Sequence, residues 1–235
     1  MAKSPRPRQR KRIRAGRGSV KPQTVFVAMF DVLGFRTIVA QTPLPQLRDT
    51  YRRLQREKQW AARIPVLGRS GVLDWVVPTT IFSDTILMWA DDTYEALDTL
   101  LATCSILIGN TVMMGWPVRG GIAYGQCVLD RRRRIFVGQP IVDAYETQES
   151  QEWVGAALHH SCLSHQSLST VMQKHDSVRN YAVPVKPGTP GLDWAIHWGD
   201  RIPDAQPAIS RLSQGVGPSV RTKYDNTQAF LSAVL

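Results

Sequence analysis

The stretch Val25-Phe-Val-Ala-Met-Phe-Asp-Val-Leu-Gly-Phe35 decides how this chain is read. Val25 to Phe30 are six apolar or small residues in a row, the pattern of a fully buried strand. Asp31 sets a charge at the end of that strand, and Gly34 permits a sharp turn three residues later. A carboxylate at the tip of a buried strand is a common way to hold a hard cation. The same Asp could equally cap the next element. A second stretch, Thr80-Ile-Phe-Ser-Asp-Thr-Ile-Leu-Met-Trp89, changes the balance. There Asp84 interrupts another apolar run, and a charge inside such a run is expensive unless it is paired or coordinated.

Around these two stretches the chain alternates. Thr42-Pro-Leu-Pro45 is a helix entry signal. Leu47, Tyr51, Leu54 and Ala61 then share one helical face, so a helix is expected over about 44–62. Val72 to Val77 and Thr79 to Trp89 read as two strands of a hairpin, with the turn near Pro78 and Asp84 inside the second strand. Asp91-Asp-Thr93 opens a helix with acids at its positive end, and Gly115 to Pro117 close it. Pro117 to Asp130 is a strand. Its paired Gly120 and Gly121 mark either close approach of a backbone or ligand, or a bulge. Arg131 to Arg134 reads as a solvated hairpin tip before a short strand, Ile135 to Gly138, and a helix from Pro140 to about Glu149.

The order predicts an α+β fold: a ferredoxin-like βαββαβ core with a mixed, mostly antiparallel sheet and helices on one face. The core spans about 25–150. Beyond it, Trp153 to Leu158, Asn180 to Val185 and Leu192 to Trp198 read as strands, and Tyr224 to Leu235 as a terminal helix. Residues 24–235 are expected to form one domain, with 151–235 as an extension of the core.

The net charge of +10 belongs to one end. Nine of the 29 Lys and Arg precede Asp31, the first acid, which leaves 20 against all 19 acids in the rest. Residues 1–23 are expected to be a disordered basic tail, either a weak contact for polyanions or a solubilising segment. No apolar run follows those charges, which reads against a secretory signal. Cys104, Cys127 and Cys162 are odd in number and widely spaced, as in a cytoplasmic protein with reduced thiols. The apolar zone Leu100 to Trp116 carries Thr103, Ser105, Asn110 and Thr111 and is too polar to expect a membrane span.

In the predicted layout the Asp31 strand and the Asp84 hairpin are neighbours, so their carboxylates meet. Two such groups without a charge partner repel and raise one pKa. A pair of divalent cations, Mg²⁺ or Mn²⁺, resolves the repulsion and can clamp both oxygens of a phosphoryl displacement. The turn Val32 to Arg36 would offer backbone N–H groups to a triphosphate.

The pieces Phe30-Asp-Val-Leu-Gly-Phe35, Phe82-Ser-Asp-Thr85, Val118-Arg-Gly-Gly-Ile-Ala-Tyr-Gly125 and Val137-Gly-Gln-Pro-Ile-Val-Asp-Ala-Tyr-Glu146 together resemble the class III nucleotidyl cyclase catalytic domain. The resemblance implies that Asp31, Asp84 and the carbonyl of Val32 hold two Mn²⁺ or Mg²⁺ ions. It implies a head-to-tail homodimer with the cleft between the two domains. Adenylate and guanylate cyclases place an Asn and an Arg after the glycine matching Gly138; here those positions are Val142 and Glu146, and the base-reading position falls near Ile135. The pattern looks instead like the bacterial anti-phage pyrimidine cyclases of the Pycsar systems, which implies UTP or CTP as substrate. Phe30, Gly34, Phe35 and Arg36 are the candidate nucleotide-binding residues. Arg119 is the candidate catalytic cation, acting either in the cleft, across the dimer, or only in a salt bridge. The alternative is a nucleic-acid-binding module that uses the basic tail and carries an inactive ferredoxin-like body.

Overall fold

The computed structural model describes residues 21–61, 77–166, 168 and 177–235. Most of the basic tail and residues 72–76 of the expected first hairpin strand lie outside these.

Strand β1 (Gln23–Val32) sits at the centre of the sheet, antiparallel to β3 (Thr85–Asp91) on one side and to β4 (Val118–Asp130) on the other. β2 (Thr79–Phe82) pairs with β3, so the first four strands run in the order β2-β3-β1-β4. This is the ferredoxin-like order expected from the sequence. Phe26, Ala28, Phe30 and Val32 of β1 point into the larger apolar cluster, while Val25 and Val27 point into a smaller one on the opposite face. An unbroken apolar run is therefore needed, because both faces are covered.

Between β1 and β2 the chain forms α1 (Phe35–Gln41) and α2 (Leu44–Ala61). Leu47 and Leu54 of α2 enter the larger cluster, and Arg48, Arg52 and Arg53 stay in water. α3 (Tyr94–Met113) follows β3; the hydroxyl of its cap Thr93 accepts from the Ala96 N–H at 3.2 Å. Among the described residues α3 is the one helix long and apolar enough to cross a bilayer, and two-thirds of it is buried inside the protein. β5 (Ile135–Gly138) returns along β4, and α4 (Gln139–Ser150) comes next.

α4 lies on the opposite face from α2 and α3, so the helices do not all share one face as the sequence reading had them. Its Ala144 packs with Val27, Trp89 and Ala123 in the smaller cluster. Gly121 makes this possible. A Cβ there would strike the Ala144 carbonyl and lie 2.7 Å from Thr147 Cβ. Gly120, on the other face, leaves room for the Phe30 ring. Of the readings raised for the paired glycines, Gly121 shows the close approach of a backbone, that of α4, and Gly120 that of a packed ring.

The hairpin also differs from expectation. The run Thr79 to Trp89 is two strands, and Ser83-Asp84 is the turn between the paired Phe82 and Thr85. Ser83 adopts a left-handed φ of 54°, where Asn or Gly is usual, so the turn carries no ordinary sequence mark. Asp84 thus stands at a turn rather than inside a strand.

β6 (Gly155–Leu158) runs parallel to β4 and continues the sheet into β8 (Trp194–Ile196) and β7 (Val178–Asn180). The expected strand to Val185 stops at Asn180; Val185 makes only an isolated bridge to Gln151. Helices α5 (His160–Leu163) and α6 (Ala205–Leu212) were not foreseen. The terminal helix α7 (Pro218–Val234) begins earlier than Tyr224, with Pro218 at its first position. Trp153, Trp198 and Phe230 of the extension belong to the same apolar cluster as Phe26.

Candidate active site

Asp31 is the penultimate residue of β1, opposite Thr85 on β3 and Arg119 on β4. It follows the alternation of Val25 and Val27, so it faces the α4 side. Asp84 reaches the same place from the β2–β3 turn. The Val32 N–H donates to the Asp84 carbonyl at 3.3 Å, and the Tyr51 hydroxyl donates to the Ser83 carbonyl at 2.6 Å. Tyr51 is itself propped edge-on against Trp116, 5.5 Å between centroids. A helix, a strand and an aromatic wall therefore hold this two-residue turn.

The Asp31 carboxyl is pushed up to about 6, first by burial, then by the negative charge of Asp84, against a downward pull from Arg119. A hydrogen bond with Asp84 and the charge of Glu149 push the same way as burial. The Tyr51 phenol is also raised, by burial and by Asp84. The expected carboxylate pair is thus assembled, and its mutual repulsion is present.

This donor set fits a hard divalent cation. It consists of oxygen alone: two carboxylates and the main chain beside Asp31. Among the described residues no three His, Cys, Asp or Glu side chains form a ligating group, so any cation here would lean on main-chain carbonyl, water and substrate phosphate. Mg²⁺ and Mn²⁺ suit that arrangement; an all-protein cage would suit Ca²⁺.

Arg119 is only 5% exposed, and its Nη donors are turned to groups of its own chain. Its Nη1 donates to the carbonyls of Glu149 (3.3 Å) and Gln151 (3.0 Å), and its Nη2 donates to the Glu149 carboxylate. The same Nη2 lies 4.0 Å from Asp31 Oδ2. Arg119 is therefore held beside Asp31 in its own chain, in a salt bridge with Glu149.

The other candidates separate. The Phe30 side chain is fully buried beneath Gly120 and cannot touch a nucleotide; only its backbone borders the site. Gly34 has a left-handed φ of 73° and caps α1, with open space where a Cβ would be. Phe35 is half-buried, edge-on to Trp116 at 6.4 Å, and Arg36 is exposed. The Val32 and Leu33 N–H groups are already committed, to Asp84 and to Pro117. The amides of Gly34, Phe35 and Arg36, by contrast, are ones that helix geometry leaves without intrahelical partners. Val142 and Glu146 lie on the exposed side of α4, and Ile135 is exposed on β5.

Glu149, Lys186 and Tyr51 were not foreseen at the site. Tyr51 was legible only as part of a helical stripe. Glu149 and Lys186 carry no sequence signal, since each arrives through a fold contact far from Asp31 in the chain.

The fold is similar to that of solved nucleotide cyclase catalytic domains. The catalytic core of a rhodopsin-guanylyl cyclase with converted specificity, in complex with ATPαS, superposes with a TM-score of 0.52 at 14% identity, over 75% of this chain and 97% of that one. A bacterial light-regulated adenylyl cyclase gives 0.51 at 10% identity, over 82% and 99%. A further structure of such an enzyme gives 0.54 at 9% identity, over 88% of this chain and 59% of the other. No family model matches the sequence, and no curated protein matches it.

Proposed function

We propose that this protein is a pyrimidine nucleotide cyclase, converting UTP or CTP to the 3′,5′-cyclic nucleotide and pyrophosphate. The observation that carries the reading is the Asp31–Asp84 carboxylate pair, half-buried where the tip of β1 meets the β2–β3 turn in a cyclase-type sheet. Asp31, Asp84 and the Val32 carbonyl hold two divalent cations, Mn²⁺ or Mg²⁺. When bound, such ions lower the pKa of the ribose 3′-hydroxyl and neutralise charge on the triphosphate.

The chain's own residues position the substrate. The amides of Gly34, Phe35 and Arg36 receive phosphate oxygens, and the exposed Arg36 adds a positive charge beside them. The 3′-oxygen forms a bond to the α-phosphorus, the bond from that phosphorus to the bridging oxygen breaks, and pyrophosphate leaves. The preference for a pyrimidine rests on the motif around Gly138, where Val142 and Glu146 replace the Asn and Arg of purine cyclases. The enzyme works as a C₂ homodimer in the cytoplasm, making a second messenger in anti-phage defence. Its basic tail adds a weak, salt-sensitive contact with polyanions.

Incubation with each of the four ribonucleoside triphosphates and Mn²⁺, with mass spectrometry of the products, tests the reading. Cyclic UMP or cyclic CMP with stoichiometric pyrophosphate is expected. Cyclic AMP or cyclic GMP as the main product would overturn the pyrimidine assignment, and no cyclic product at all would overturn the enzyme.

A further inference from the structure

Arg119 stands directly across the sheet from Asp31, the position in which an Arg–Asp pair forms by default. The pair is present only as a long ion pair, Nη2 to Asp31 Oδ2 at 4.0 Å, with no hydrogen bond, while the same Nη2 donates to the Glu149 carboxylate. Arg119 Nε is buried with no partner among the described residues, so the guanidinium has donor capacity left over. Glu149 is itself held from the other side. Lys186 Nζ, from the extension, lies 3.6 Å from its second carboxylate oxygen. The Lys186 N–H donates to the Ser150 carbonyl at 2.7 Å, and Val185 bridges to Gln151. The end of α4 is thus pinned by the extension, with Glu149 between two cations.

We propose that Glu149 is a positioning residue that holds Arg119 off Asp31 and so keeps Asp31 open for a divalent cation. This inference rests on the cyclase reading, in which Asp31 is a cation ligand. The physical argument is one of competition. A guanidinium is always charged and prefers a carboxylate to a neutral acceptor. Two carboxylates, Asp31 and Glu149, face one Nη2. While Glu149 is charged and anchored by Lys186, it takes the hydrogen bond. Without its charge, Asp31 becomes the better acceptor, and a close, hydrogen-bonded Arg–Asp pair then stands where the cation must bind. The extension therefore acts on the site at second hand, through Lys186 and Glu149.

The test uses the full chain and Mn²⁺ alone, with binding followed by the loss of the free-Mn²⁺ paramagnetic resonance signal. Glu149→Gln is nearly isosteric, and the side chain is 40% exposed, so the fold is retained. Mn²⁺ affinity should fall about tenfold, the scale on which partners outside the ligand set act. Adding Arg119→Gln to Glu149→Gln removes the competitor and should restore affinity towards the wild-type value. A crystal structure of Glu149→Gln should show Arg119 Nη2 within hydrogen-bond distance of Asp31, which needs no second variant. Unchanged Mn²⁺ affinity in Glu149→Gln, or Arg119 still 4.0 Å from Asp31 there, overturns the positioning role alone. If Asp31→Asn binds Mn²⁺ as well as the wild type, the metal-dependent cyclase reading itself falls, and this inference with it.

Discussion

The Val32 N–H is hydrogen-bonded to the carbonyl of Asp84 at 3.3 Å. That bond ties the tip of the central strand to the turn of its neighbouring hairpin. Two carboxylates from distant parts of the chain are thereby held together before any cation arrives. The fold meets the cost of that juxtaposition elsewhere, in the apolar clusters on both faces of β1.

Asp31→Asn and Asp84→Asn should each abolish cyclisation, with a rate loss beyond the roughly 10–100-fold typical of partners outside the ligand set. Stability should not fall with activity. Asp84→Asn removes a repelling charge beside Asp31, so the metal-free melting temperature at pH 7.5 should hold or rise. A normal turnover in either variant, measured by pyrophosphate release, would remove the carboxylate pair from the mechanism.

The pH dependence has a definite sign. The Asp31 carboxyl titrates near 6 in the folded chain, above its ordinary value of 3.8. Its contribution to stability is therefore fully present below the lower value and is lost as pH rises through the higher one. In EDTA, the melting temperature should carry a downward component between about pH 4 and pH 6 that Asp84→Asn diminishes. Mn²⁺ should reverse the loss above that range. Scanning calorimetry with and without the ion measures both effects.

Gly121→Ala tests the seat of α4. The new methyl would meet the Ala144 carbonyl and Thr147, backbone and side chain of a packed helix. Overpacking of this kind costs about 1–3 kcal/mol. Chemical denaturation should show that loss. An unshifted midpoint would mean that α4 is not seated on β4 as described.

Tyr51→Phe removes only the hydroxyl that holds the Ser83 carbonyl. The stability loss should be modest, about 1 kcal/mol. Catalysis should suffer more than stability, because the turn that carries Asp84 loses its outer anchor. Equal kcat/KM in the variant and the wild type would show that the turn needs no such support.

Mixing Asp84→Ala with Arg119→Ala chains should not restore activity. Arg119 and Asp31 belong to one chain's site, so both clefts of a mixed dimer would carry one lesion each. Recovery of activity in mixed dimers, verified by mass, would place Arg119 across the interface after all.

Local pattern was enough for much of this protein. The unbroken run Val25 to Phe30 required a strand covered on both sides, and Asp31 at its end was conspicuous because a charge there needs a partner. The spacing of apolar residues located α2 and α3, and the order of elements implied the strand order β2-β3-β1-β4, since short connections leave few alternatives. Only the tertiary structure decided the rest. Asp84 sits in a turn made by a left-handed Ser83, a conformation that neighbouring strands impose and that Ser does not advertise. Phe30 is core because Gly120 opposes it, and α4 lies across the sheet because Gly121 admits it. Arg119, Glu149 and Lys186 meet Asp31 through a sheet register and a docked extension. Such contacts, Arg119 with Asp31 and Lys186 with Glu149, join residues far apart in the chain, and no local periodicity records them.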